Sequence, residues 1–140
     1  MTEERDREER IALDVLHAIQ TGIHTTAKSK GWWQDLDGLQ HTLRQGSTAF
    51  VTDTERLRLM ALMEKLMLVV SELGEGVEGL RSKLMDDKLS SYSSLEVELA
   101  DVMIRIFDLA EYFQLRVSEA MIDKMKYNKS RAFKHGGKAA

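Results

Sequence analysis

The chain has 140 residues, 43% hydrophobic and 31% charged, with a formal net charge of −3, which suits one globular domain and gives no electrostatic case for duplex nucleic acid as a partner. It contains no cysteine, excluding disulfides, thiolate catalysis and cysteine–zinc sites, and no proline, favouring long uninterrupted helices. No apolar run approaches the roughly 18–20 residues of a membrane span, and the charged stretch Met1 to Arg10 lacks a leader's apolar segment, so the expectation is a cytoplasmic protein with no membrane partner.

The first helix is predicted from Thr2 or Glu3 to about Lys28. Ile11, Val15, Ile19 and Ile23 recur there every four residues beside Ala12 and Leu16, an amphipathic stripe. Ser29 to Val51, rich in Gly, Gln, Thr and Asp, reads as a long connection holding Trp32-Trp33 and a weak short helix around Leu36 to Leu43; connections of this length are often functional. Asp53 or Thr54 is placed to cap a second long helix. In it Leu59, Met63, Leu66, Val70, Leu73, Val77, Leu80 and Leu84 alternate four and three apart, a heptad-like seam. Asp86 to Tyr92 breaks the pattern. Ser93, with Glu96 three residues on, makes a capping box for the next helix, whose core face is Leu95, Leu99, Val102, Ile106, Leu109 and Phe113. A break near Gln114 to Ser118 leads to a last helix with Val117, Met121 and Met125 inward. The Gly- and Lys-rich tail from about His135 reads as frayed. The expected architecture is all-α, one domain over residues 1–140, with a four-helix core and an additional short helix. Its apolar stripes exceed what one short bundle needs, so a homo-oligomer, dimer or tetramer, is expected.

Two acidic motifs interrupt these apolar helices. Glu72-Leu73-Gly74-Glu75 and Glu98-Leu99-Ala100-Asp101 each set two carboxylates at i and i+3, on one helical face. These carboxylates border the inter-helix seam with no Lys four residues on to pair them, and Lys and Arg are absent from Leu66 to Leu80 and from Leu89 to Ile104. In an antiparallel hairpin folded between Asp86 and Asp87, Glu72 would face Asp101 and Glu75 would face Glu98. The capping box at Ser93 is off-centre for such a hairpin, so either the later helix starts earlier or the loop doubles back. Four converging carboxylates need protons or a cation, and oxygen-only ligands suit Mg²⁺, with Mn²⁺ as a substitute. The plain alternative is a pair of solvated acidic faces. A di-iron carboxylate bundle needs Glu-x-x-His on two helices, and no His lies between His41 and His135. No aromatic sugar-binding cleft supports a two-carboxylate glycosidase. Gly74, Gly76 and Gly79 spell Gly-x-Gly-x-x-Gly, but mid-helix rather than after a strand, which speaks against dinucleotide binding. Close helix approach or room for a ligand accounts for them better.

Glu-x-x-Glu, a spacer of about two dozen residues, then Glu-x-x-Asp resembles the all-α nucleoside triphosphate pyrophosphohydrolases, the MazG-like enzymes with the all-α dUTPases and dCTP pyrophosphatases. Lys124, Asn128 and Arg131, at i, i+4 and i+7 on one helical face, match that family's Lys-x-x-x-Asn-x-x-Arg. His24 to Trp33, with Lys28, Lys30 and Gly31, looks like the region before its catalytic hairpin. The resemblance spans about Ile11 to Arg131. It implies Mg²⁺ held by Glu72, Glu75, Glu98 and Asp101, and cleavage of a (deoxy)nucleoside triphosphate to the monophosphate and pyrophosphate in nucleotide-pool cleansing. It also implies phosphate contacts from Lys124, Asn128 and Arg131. One of Trp32 and Trp33 is expected to anchor the core and the other to stack on a base; Lys28, Lys30 and His24 are further substrate-side candidates. Many relatives carry a Glu where this chain has Ser71, a poor base. A carboxylate of the quartet, or Glu78 one turn on, is left to take the proton. A phosphoribosyl-ATP pyrophosphohydrolase and a non-enzymatic helical oligomerisation module are the alternatives.

Overall fold

The computed structural model describes residues 2–44 and 50–131. They form five helices: α1 (Thr2–Ser29), α2 (Gln34–Arg44), α3 (Phe50–Ser82), α4 (Ser94–Phe113) and α5 (Val117–Ser130). The expected long helices and the short one are all present. α3 starts at Phe50, upstream of the expected cap, so Thr54 lies inside the helix; the side chain of Asp53 and the tail from residue 132 lie outside the described residues.

The α3–α4 hairpin is the backbone of the fold. The helices run antiparallel: Gly79 faces Ser94, Gly76 faces Leu95 and Glu98, and Glu72 faces Arg105. Two of the three glycines are explained by this close approach. A Cβ at Gly79 would lie 2.5 Å from Ser94 Oγ, and one at Gly76 would lie 3.3 Å from Leu95 Cδ1, whereas a Cβ at Gly74 meets nothing. The off-centre loop is resolved by doubling back. Lys83 takes a left-handed φ of 52°, the Leu84 amide donates to Gly79 O, and the Ser94 amide donates to Leu84 O. Met85 bridges Ser93. The capping box then starts α4: Ser93 Oγ accepts from the Glu96 amide, and the Glu96 carboxylate accepts from the Ser93 amide at 2.7 Å. At the other end Gln114, at φ 56°, closes α4.

α1 packs along α4, and α2 lies on α3. The core is small. Trp33 is fully buried, stacked on Tyr112 with ring centroids 3.8 Å apart, beside Ala27, Ala61, Leu109 and Phe113. Gly31 permits this: at φ 79° it ends α1 and turns the chain so that Trp33 enters the core. Buried Gln20 donates to Glu111 at 2.7 Å and accepts from Ser118, joining α1, α4 and the start of α5.

The expected core face of α4 holds, with Leu109 and Phe113 buried and Leu95, Val102 and Ile106 half-buried, but the stripes of α1, α3 and α5 lie largely outside the core. All eight seam residues, seven on α3 and Leu84 just beyond it, are exposed in the single chain, from 46% at Leu73 to 60% at Leu80. Ile11, Val15 and Ile19 on α1 and Leu99 on α4 are exposed too, as are Met121 and Met125, expected inward on α5. The inward faces carry small and polar residues instead: Gln20, His24 and Ala27 on α1, and Ala61, Lys65, Glu72, Gly76 and Gly79 on α3. The accessible surface is 10,991 Å² for 16.0 kDa, about half as much again as the ~7,400 Å² typical of a monomer this size. Among the described residues no helix is long and apolar enough to cross a membrane.

Candidate metal centre and adjoining cleft

The hairpin brings the two acidic motifs together. Glu72, Glu98 and Asp101 each offer a carboxylate oxygen, all within 4.8 Å of one another. Glu72 is buried, at 6% exposure, and the other two are half-buried. Glu75, the fourth expected member, is exposed at the rim and accepts a 3.3 Å hydrogen bond from Ser71. Its charge still acts on the cluster. The Glu98 carboxyl is pushed up to about 7, first by burial, then by a hydrogen bond to Glu72 and by the charges of Glu75, Glu72 and Asp101. Asp101 is raised as well, by burial and then by Glu72, with Arg105 opposing. The cluster therefore carries more negative charge than its surroundings balance. An all-oxygen donor set of this kind fits a hard divalent cation better than a soft one.

One cation of the protein does reach the cluster. Arg105 forms an ion pair with Glu72: Nε donates to Oε1, and Nη2 is in ion-pair contact with the same oxygen. The window free of basic residues ends at Ile104, one position short of Arg105, so the apparent lack of a partner is corrected here. The signal was present as Asp101, Arg105 and Asp108 at i, i+4 and i+7.

Asp101 and Arg105 also line a cleft of about 460 Å³, together with Trp32, Trp33, Lys65 and Asp108. Trp32 stands 60% exposed at this cleft while Trp33 is buried in its wall, so the two adjacent tryptophans divide as expected into one anchor and one free face. Asp108, buried and missed by the sequence reading, fixes the wall. It accepts from Trp33 Nε1 at 2.9 and 3.0 Å and meets His24 Nδ1 at 2.7 Å. His24 is thereby a structural partner of Asp108 rather than a member of the acidic cluster. Lys65 Nζ lies 4.7 Å from the Trp33 ring centroid, a cation–π contact.

The remaining candidates lie elsewhere. Lys28 and Lys30 are exposed at the end of α1. Lys124, Asn128 and Arg131 are exposed on and just beyond α5, which packs on α1; Lys124 and Arg131 lie over the Tyr127 ring. Glu78 accepts from Arg81 at 2.9 Å and from Ser82 at 3.1 Å. Comparison with protein-family models, curated proteins and solved structures finds no match to this chain.

Proposed function

We propose that the chain is a Mg²⁺-dependent nucleoside triphosphate pyrophosphohydrolase, releasing a monophosphate and pyrophosphate. The observation that carries this reading is Asp101, which belongs at once to the three-carboxylate cluster and to the wall of a cleft with an exposed tryptophan face. A cation centre opening into a pocket with an aromatic platform is what a nucleotide's phosphates and base together require.

Glu72, Glu98 and Asp101 would hold the ion. When bound, Mg²⁺ or Mn²⁺ offsets phosphate charge and acidifies water. Trp32 offers its exposed ring to the base, and the Trp33–Asp108–His24 network keeps the wall behind it rigid. Lys65 and Arg105 bring positive charge to the cleft for phosphate oxygens. Ser71 orients Glu75 through its hydrogen bond, leaving a rim carboxylate open to solvent to accept a proton from the attacking water. Glu78 is held by Arg81 and Ser82 and is less available. Lys124, Asn128 and Arg131, which the resemblance assigns to the triphosphate, do not line this cleft and are given no role in it.

The exposed α3 seam supports a homo-oligomer. Its four–three spacing suits helix against helix, and a second copy of the chain supplies a matching face by symmetry.

A turnover screen over canonical and modified (deoxy)nucleoside triphosphates tests the reaction. Pyrophosphate and monophosphate are expected in equal amounts, dependent on Mg²⁺ and lost in Asp101→Asn. Release of orthophosphate alone would overturn the assigned bond.

A further inference from the structure

Arg105 touches two things that the proposed reaction must bring together. On one side its guanidinium donates from Nε to Oε1 of Glu72, one of the three clustered carboxylates, with Nη2 in ion-pair contact with the same oxygen. On the other it lines the cleft with Lys65, Trp32 and Asp108, and its side chain is 39% exposed there. An ionised carboxylate has two oxygens, so Arg105 does not block Glu72 outright; it offsets the negative charge that Glu72 could otherwise give a metal ion. A divalent ion and the Arg105 guanidinium therefore compete for the negative charge of one buried carboxylate. A guanidinium displaced from Glu72 remains tethered in the lining of the cleft, where a polyphosphate is its natural partner because its planar fork matches phosphate oxygens.

Resting on the cation reading above, we propose that Arg105 is a counter-ion switch. It holds Glu72 when the cluster lacks a cation, yields it when one binds, and then grips the phosphates of the incoming nucleotide. The substrate-free protein thus holds the metal loosely, and metal and triphosphate bind as a coupled pair. Arg105 in this account is a positioning residue for the cation and a binding residue for the polyphosphate.

The test measures two affinities in the wild type, Arg105→Gln and Arg105→Lys. The first is for Mn²⁺ alone, followed by electron paramagnetic resonance. The second is for an α,β-imido deoxynucleoside triphosphate at saturating Mn²⁺, followed by calorimetry. Arg105→Gln is expected to bind Mn²⁺ alone about 5-fold or more tighter and the analogue about 5-fold or more weaker, the scale of ordinary coupling between sites. Arg105→Lys should fall between the two on both measurements. Misfolding would weaken both affinities together, so opposite directions mark the switch. Mn²⁺ binding that is unchanged or weaker in Arg105→Gln would overturn it, because Arg105 would then merely hold Glu72 in place. In that case wild-type Mn²⁺ binding leaves the cation reading standing, whereas no Mn²⁺ binding by any of the three proteins removes both.

Discussion

Glu98 makes the cluster's charge measurable without any substrate. Its carboxyl is raised from 4.5 to about 7, burial contributing most. The folded state therefore keeps a proton that the unfolded chain has released between about pH 4.5 and 7. With more protons on the native state, stability falls as pH rises through that window. Fully realised, the rise corresponds to about 3 kcal/mol; screening by water at a half-exposed group reduces it to ~1 kcal/mol. For a chain of this length that lowers Tm by about 3–5 °C. The assay is thermal unfolding by circular dichroism in a chelator, at about pH 5 and about pH 8, for the wild type and Glu98→Gln. Asp101 is raised too, so the difference between the two proteins isolates Glu98. The wild type should lose those few degrees at the higher pH and recover them with added Mg²⁺, while Glu98→Gln should show a flatter profile and a smaller recovery. Superimposable pH profiles for the two proteins would refute the argument that the hairpin forces these carboxylates together.

Three further outcomes follow from the packing. Gly79→Ala should destabilise despite alanine's better helix propensity, because the new Cβ would sit 2.5 Å from Ser94 Oγ, while Gly74→Ala, with open space, should stabilise by about 0.5–1 kcal/mol in chemical denaturation. Trp33→Phe removes the indole donor to buried Asp108 and should cost about 2–3 kcal/mol; in an Asp108→Asn background the cost should shrink, and an additive double mutant would deny the coupling. Val70→Glu with Val77→Glu places charge on the exposed seam, so sedimentation should show a smaller assembly than the wild type with helicity retained, and an unchanged assembly would exclude this face as the interface.

The elements were legible in the sequence because their signals are local. The Ser93–Glu96 capping box and the break at Gln114 to Ser118 fix the ends of α4 with short-range chemistry alone. The acidic pairing was legible too, since mirror spacing about a turn is a property of any antiparallel hairpin. The apolar stripes misled about which face α1, α3 and α5 bury, while that of α4 was read correctly except at Leu99. Hydrophobic periodicity reports which face leaves water, and not whether the covering surface belongs to the same chain. On α3 the inward face carries Lys65, Glu72, Gly76 and Gly79, residues no apolar pattern selects. Arg105 and Asp108 were missed for a related reason: they lie on the α4 face that continues from Asp101, and their role appears only once α3 and the Trp33 turn lie against it. Trp32 and Trp33 are neighbours in sequence with opposite fates, a division set by the left-handed turn at Gly31.

The most direct measurement is a crystal of the protein grown with Mn²⁺ and an α,β-imido deoxynucleoside triphosphate, with anomalous data collected to locate the metal. The account predicts a manganese peak enclosed by the carboxylates of Glu72, Glu98 and Asp101, the analogue's phosphates beside it, and its base in the cleft against Trp32. Manganese bound elsewhere, with Arg105 still on Glu72 and the cleft empty, would contradict it.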